Sequence, residues 1–395
     1  MIVEPPPMTP SPVFAYFVSD TDHPVDERSD LWAHPLPDCR HPGETSESPA
    51  SLGDYFTVAR WFLSDHDFDV VRTSGRDITG CAVTTADLAG FSVYLVKHGT
   101  FYHPSRVDVR LHNGTSWSLA LNLAVSPAGL ACVDREYEAL KHLSPVSSAL
   151  PTVYDRGHFT TDGGVDAAVF AARWLDDYHE FHLTRDEGVQ QVVVWDEANG
   201  HYFLTPDERG QLYRQAAAIL TRCYNPQTGE QIQPWHHAAG DFVVKGRGEA
   251  LDVRLITVRQ YTSLFEDMPD DPDAVIEAAL IFFINLSIRM RLDREDGIRD
   301  ILWAEASCLG PMIDGFLAGL GTRDVELADC FTDFALETPE AEWMATAGML
   351  IGSYHPDSAD LPVIRTHLIE HIHQVRTALA GKSGILAGAQ DNQNG

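Results

Sequence analysis

Two hydrophobic periodicities follow one another along this chain, and their order restricts the fold more than any single motif does. Residues 91–99 (FSVYLVKHG), 106–111 (RVDVRL) and 117–126 (WSLALNLAVS) alternate in part and are rich in Val, Leu and aromatics, the pattern of strands. The HNG of residues 112–114 suits a tight turn between the second and third. ACVDREYEALKHL (131–143) then switches to helical spacing, with Val133, Tyr137, Leu140 and Leu143 on one face. Two more strand-like runs follow at 151–157 and 167–175. Beyond residue 204 the pattern is mainly helical, over 204–224, 273–295, 299–320, 324–336, 339–352 and 361–380. Only the hairpin formed by DFVVK, the turn GRGEA and LDVRLITVR interrupts it.

This order predicts an α+β protein of two lobes, an antiparallel sheet with one inserted helix followed by a mainly helical body. With 395 residues, 44% of them hydrophobic, the chain is long enough to bury two cores. A leading helix is expected from Ser51, capped by that serine with Asp54 three residues on. Residues 1–50, rich in Pro, Ser, Asp and His, read as irregular chain; 51–172 read as the sheet lobe with its leading helix, 173–380 as the helical lobe, and 381–395 as a disordered tail.

Charge narrows the partners. Against 28 Lys and Arg stand 58 Asp and Glu, a net charge of -30, which repels nucleic acid and anionic membranes. The same charge suits a cationic substrate such as an amine, or simple solubility. The most apolar stretch, 275–290, carries Glu277, Asn285 and Arg289 and reads as a buried helix, not a membrane span. The opening MIVEPPPMTPSP lacks the positive charge and apolar core of a signal peptide. Six cysteines lie scattered without a CxxC pair, which fits reduced thiols in the cytoplasm better than zinc or a disulfide framework. The expected partner is a small-molecule ligand or another protein; oligomeric state is not encoded.

REYEALKHL ending near the Leu-Pro at 150–151, AAVFAARWLDD, and WHHAAGDFVVK followed by VRLITVR together resemble the protein-kinase-like superfamily, particularly its aminoglycoside-phosphotransferase branch. The resemblance covers about residues 90–320 and is one of layout. It implies a kinase-like fold that binds ATP and magnesium between its lobes, with Glu136 as the glutamate that orients a nucleotide-binding lysine. The hinge would present backbone to adenine around Ala172, within 171–174. His236 would take the place of the catalytic base and Asp241 that of a magnesium ligand.

The departures from that pattern are chemical. Asn122 stands where the resemblance puts the phosphate-binding lysine, and Thr257 where it puts the second metal-binding aspartate. Gly99 is the only glycine between the first two strands, so no GxGxxG loop exists. Lys97 and Arg106 flank that turn and could act as substitute phosphate clamps, and Lys97 could replace the missing ion-pair partner of Glu136. His236 could accept a hydroxyl proton, or be a hydrogen-bonded loop histidine. Asp241 could hold magnesium or stabilise a turn. His179 and His182, about one helical turn apart, with His236 and His237, could line a substrate cleft or gather a metal. RMRLDRED (289–296) reads as a salt-bridged helix end or an anion anchor. Three functional readings follow: a degenerate nucleotide-binding or regulatory module, an ATP- and magnesium-dependent small-molecule phosphotransferase, and a histidine-rich metal-dependent hydrolase. Losing the lysine and a metal aspartate together removes most of the electrostatic stabilisation that phosphoryl transfer needs, which favours the first.

Overall fold

The computed structural model describes residues 11–18, 23–37, 47–99, 101–236, 240–265 and 271–391. Two compact units emerge, one of Met1–His142 with Pro151–Asp176, the other of Leu143–Leu150 with Asp177–Gly395.

The first unit contains β1 (Val13–Val18), β2 (Pro35–Pro37), β3 (Glu47–Ser51), α1 (Leu52–Thr79), β4 (Leu88–Leu95), β5 (His103–Leu111), β6 (Ser116–Ala124), α2 (Pro127–Leu143), β7 (Val153–Thr160) and β8 (Asp166–Arg173). Six of the strands form one sheet in the order β1-β4-β5-β6-β8-β7. Three strands, a helix and two strands is the expected order. β1 is a correction, because the run VFAYFV lies in the stretch expected to be irregular. It pairs parallel to β4, Val13 opposite Gly90. A Cβ on residue 90 would come within 2.7 Å of the Val13 carbonyl oxygen, so glycine is what allows this approach. Stacked rings across the pair, Phe14 on Phe91 and Phe17 on Tyr94, each at 4.6 Å, bury what would otherwise be an exposed apolar strand.

α1 covers one face of this sheet. Tyr55, Phe56, Val58, Ala59, Phe62 and Leu63 pack on Val93, Val107, Val109, Leu119, Leu121 and Leu123 in a single buried cluster. Its start is a capping box: the Ser51 hydroxyl accepts the Asp54 N–H at 3.1 Å, and the Asp54 carboxylate accepts the Ser51 N–H at 2.9 Å. The helix breaks at residues 65–68, where His66, Asp67 and Phe68 have positive φ, and resumes to end at Gly80 with φ of 72°.

The second unit begins with β9 (Phe181–Asp186), β10 (Val189–Val194) and β11 (Tyr202–Phe203), a small antiparallel sheet that hydrophobic pattern alone did not reveal. Then follow α3 (Pro206–Arg222), β12 (Glu230–Ile232), β13 (Phe242–Lys245), β14 (Asp252–Leu255), β15 (Tyr261–Ser263) and α4 (Pro272–Arg289). β16 (Leu292–Arg294), β17 (Ile301–Trp303), α5 (Leu309–Gly321), α6 (Val325–Glu337), α7 (Glu340–Gly352) and α8 (Asp360–Asp391) complete it. The expected hairpin is β13–β14, and β12 pairs with β15 around it. α3 opens on a second capping box, Thr205 with Glu208. Arg247 donates to both oxygens of that glutamate and holds its pKa down to about 2.

Two helix expectations are corrected. Residues 292–294 and 301–303 form an antiparallel hairpin, β16–β17, where continuous helix to 295 and helix from 299 were expected. Asp293 accounts for the first, because its buried carboxylate accepts the Leu183 N–H of β9 and ties the chain to that strand. α8 continues through residues expected to be disordered. The helical core is aromatic: Phe283 of α4 lies 4.6 Å from Phe316 of α5 and 5.5 Å from Phe331 of α6, with Trp343 of α7 edge-on at 6.0 Å. Among the described residues no helix is long and apolar enough to cross a membrane.

Replacing Ser51 with alanine removes one half of the α1 cap and should lower unfolding stability by about 1 kcal/mol. Urea denaturation checks it, with the helix-preserving Ser51→Asp expected to retain most of the stability.

Candidate functional site

Cross-strand register assembles part of the sequence-derived set in the first unit. Arg106 of β5 lies opposite Ala120 of β6, Ala120 opposite Ala172 of β8, and Asn122 opposite both Pro104 and Phe170. Residues opposite one another share a face, and side chains alternate along a strand, so Arg106, Asn122 and Ala172 stand on the face turned away from the α1 core. Asn122 is half-buried there. Gly99 lies in the turn between β4 and β5, its N–H on the Tyr102 carbonyl at 3.1 Å, with exposed Lys97 two residues before it. Glu136 is fully buried on α2.

Local bonding on this face limits what it can offer a nucleotide. Arg106 donates Nε to Asp108 at 2.7 Å, and the Ser118 hydroxyl donates to the same carboxylate oxygen at 2.7 Å. The arginine cation is thereby balanced within the sheet instead of being held open for phosphate. Beyond Ala172, the Arg173 N–H bonds the Thr152 carbonyl at 2.8 Å and the Trp174 N–H bonds the Ser118 carbonyl at 3.4 Å. The last two backbone donors of the segment expected to meet adenine are already in use.

In the second unit the chemistry centres on Asp241, just before β13. Its side chain is 1% exposed, and it receives three charge-assisted bonds. Arg259 approaches as a fork, Nη1 to Oδ2 at 2.8 Å and Nη2 to Oδ1 at 2.6 Å, and the His236 backbone N–H donates to Oδ2 at 2.8 Å. The Asp241 carbonyl also accepts the Ile256 N–H at 2.8 Å, tying the loop to the end of β14. Arg289, at the end of α4, donates Nε and Nη2 to the Trp235 carbonyl at 3.1 and 2.7 Å and lies over the rings of Trp235 and Tyr354. The residue preceding His236 is therefore held by one arginine and the residue five beyond it by another.

His236 is exposed to solvent on one side. Protein packed around its other side, together with the nearby charges of Arg289 and Arg259, lowers its pKa against the opposing pull of Asp241 and Asp360. It therefore presents a neutral imidazole at physiological pH, able to accept or donate one hydrogen bond. His237 lies outside the described residues.

Magnesium asks for a shell of oxygen ligands. Both Asp241 oxygens are engaged by a guanidinium, and Thr257, at the expected second carboxylate position, is a buried threonine that carries no charge. As arranged here the residues do not fit the metal: a guanidinium holds both oxygens that Asp241, the expected ligand, would offer it. Arg259 was passed over in the sequence because nothing local marks it. It closes VRLITVR, and its role depends on the chain returning to the loop 18 residues upstream.

The histidine cluster also resolves differently from the expectation. His179 and His182 are not a helical turn apart: His179 makes a backbone bridge with Val244, and His182 lies in β9. The His179 side chain reaches Asp196 at 3.7 Å. His182 is buried against Trp195, its Nδ1 3.4 Å from Asp293, with Glu180 at 3.9 Å. Gly297, with φ of 73°, makes room for that ring, since a Cβ there would come within 2.9 Å of Nε2. Among the described residues, no group of three or more His, Cys, Asp or Glu could hold a metal.

No protein-family model matches the chain. No curated protein matches it in sequence. Solved structures that resemble it include WaaP in complex with acyl carrier protein, 12% identical with a TM-score of 0.31, covering 62% of this chain and 83% of that one. A mutant of the Neurospora crassa PAN3 pseudokinase is 11% identical with a TM-score of 0.27, covering 74% of this chain and 62% of its own. The complex of Neurospora crassa PAN2 with PAN3 gives 13% identity, a TM-score of 0.29, and coverage of 78% and 68%. Likeness at this level carries no chemistry. The order of elements, strands with an inserted helix followed by a mainly helical unit, stands on the chain's own topology.

Arg259→Met would strand a buried carboxylate with a single backbone donor, and should cost about 3 kcal/mol or more in urea unfolding. The paired change Asp241→Leu with Arg259→Met should recover a large part of that loss. Burial works hardest on His182 and disfavours its charge, yet the hydrogen bonds and charges of Asp293 and Glu180 outweigh it and raise the pKa to about 9. The folded value lies above the unfolded one near 6.5, so this contribution is complete below about 6.5 and is lost as pH rises through about 9. Stability measured across that window should fall in the wild type and fall distinctly less in Asp293→Asn.

Proposed function

We propose that this chain is a kinase-like protein that has given up metal-dependent phosphoryl transfer and works as a binding or regulatory module for a small molecule or a protein partner. The observation that carries this reading is the Arg259 fork on Asp241. Phosphoryl transfer depends on cations placed against the phosphates and on a metal held by carboxylates. Here the one acidic group in the expected position is neutralised by its own chain, and its partner position is a threonine.

Support also comes from the first unit, where Arg106 is balanced by Asp108 and the backbone donors after Ala172 are used within the sheet. In this reading Arg289 and Arg259 hold Trp235 and Asp241 on either side of the segment that begins at His236, and the neutral imidazole serves as a hydrogen-bonding contact for a ligand and not as a catalytic base. The acidic surface favours cationic or neutral partners.

The test is nucleotide linkage. A ligand that binds the folded state raises the melting temperature through mass action, by about 3 kcal/mol of stabilisation at a hundredfold excess over its dissociation constant. ATP with magnesium should leave the melting temperature unchanged, and Lys97→Met and Asn122→Lys should respond as flatly as the wild type. A saturable, magnesium-dependent rise that Lys97→Met abolishes would revive the phosphotransferase reading and end this one.

A further inference from the structure

Among the described residues of the second unit, Arg291 is a buried arginine whose hydrogen-bond partners are all neutral, with Glu370 acting on its charge from a distance. Arg291 follows α4 and is only 4% exposed. Its Nε donates to the Ala304 carbonyl at 2.7 Å, and its Nη1 donates to the Gln374 side-chain oxygen at 2.8 Å and lies 3.3 Å from His371 Nδ1. All three partners are neutral. His371 is fully buried, and burial followed by the Arg291 charge lowers its pKa to about 3, so Nδ1 accepts from the guanidinium. Its Nε2 lies 3.0 Å from the Ser287 hydroxyl, which itself donates to the Ile284 carbonyl at 2.8 Å. That chain fixes the imidazole as a neutral acceptor toward the arginine. Among the described residues Arg291 makes no ion pair, and Nη2 has no hydrogen-bond partner.

A buried guanidinium stays charged, and with the acid that acts on it, Glu370, not in direct contact, its desolvation is only partly repaid. Arg291 is also part of the wall of a cavity of about 250 Å³. That volume suits a molecule of a few non-hydrogen atoms. One wall is aromatic: Trp303 stacks on His367 at 5.3 Å with the rings nearly parallel, and the guanidinium lies over Trp303 at 4.7 Å. Gln374 donates its amide to Glu370 at 2.8 Å, and Glu370 and Glu305, both exposed, belong to the same lining.

We propose that this cavity is a binding site for a small monocarboxylate that also carries a hydrogen-bond donor, such as an α-amino or α-hydroxy acid. The carboxylate takes the open side of the Arg291 guanidinium and supplies a counter-charge bonded directly to it. The amino or hydroxyl group is received by the acidic lining formed by Glu305 and Glu370. The same acids, and the net charge of -30, work against dianions and phosphate. This site is separate from the Asp241 loop, and its failure would leave the proposed loss of phosphoryl transfer untouched.

Isothermal titration of the full chain with L-serine, L-lactate, ethanolamine and inorganic phosphate decides the matter. Serine and lactate should bind at millimolar concentrations or better, while ethanolamine, which lacks the carboxylate, and phosphate should not. Arg291→Met should weaken serine binding about tenfold or more, since it removes charged hydrogen bonds. If that variant fails to fold, Ala306→Trp, at an exposed position of the lining, should abolish binding by filling the space. The assignment is overturned if neither acid binds the wild type, if phosphate or ethanolamine binds as well as serine, or if serine binding survives Ala306→Trp.

Discussion

Asp241 immediately precedes β13 with its carboxylate out of water, and an ionised group in that position must meet a cation or take up a proton. Arg259 meets it as a fork, and much else in the loop follows from that contact. With both carboxylate oxygens occupied, the remaining lone pairs draw in the His236 backbone N–H, and this sets where the imidazole stands. The same requirement returns the chain from β14 to the loop, so that Ile256 can bond the Asp241 carbonyl. A planar guanidinium bonded to both oxygens leaves neither of them for a hard divalent cation. One ion pair thus fixes the placement of Asp241 and leaves its oxygens closed to a metal.

Arginine performs similar work elsewhere in the second unit, each time against a different partner. Arg289 braces the backbone through a carbonyl, Arg247 locks the start of α3 through Glu208, and Arg291 rests on neutral groups beside a cavity. For Arg247 and Arg259 the charge is balanced internally. Arg291 has only neutral hydrogen-bond partners among the described residues, and that difference sets it apart from the other two. The rigid donor fork and permanent charge of arginine make it suited to both tasks, where lysine would yield its proton on burial.

Much of the fold was legible because it rests on local physics. The alternation of β4, β5 and β6, the helical face of α2 and the caps at Ser51 and Thr205 are written in residues that touch their sequence neighbours. β1 was not legible, since a short apolar run pairs in parallel only where a distant glycine admits it. The β16–β17 hairpin escaped for a related reason: RMRLDRED has the composition of a helix end, and Asp293 draws it into a strand by reaching β9. Of the candidate site, the positions were partly legible and their roles were not. Asn122, Arg106 and Ala172 do share one sheet face, whereas His182 belongs to a buried ion pair and Asp241 to Arg259.

Residue order alone established the central strands of the first unit, most of the helices, the two-part order of the fold, the net acidity, and the absence of a lysine at 122 and of an aspartate at 257. Those properties depend on residue type and short-range periodicity. Only the tertiary structure decided which charges meet. Whether a carboxylate coordinates metal, caps a helix or is cancelled by arginine is a matter of a few ångströms between residues far apart in the chain. Electrostatic energy in a buried site is set by that distance and by desolvation, and neither is visible in the order of the letters.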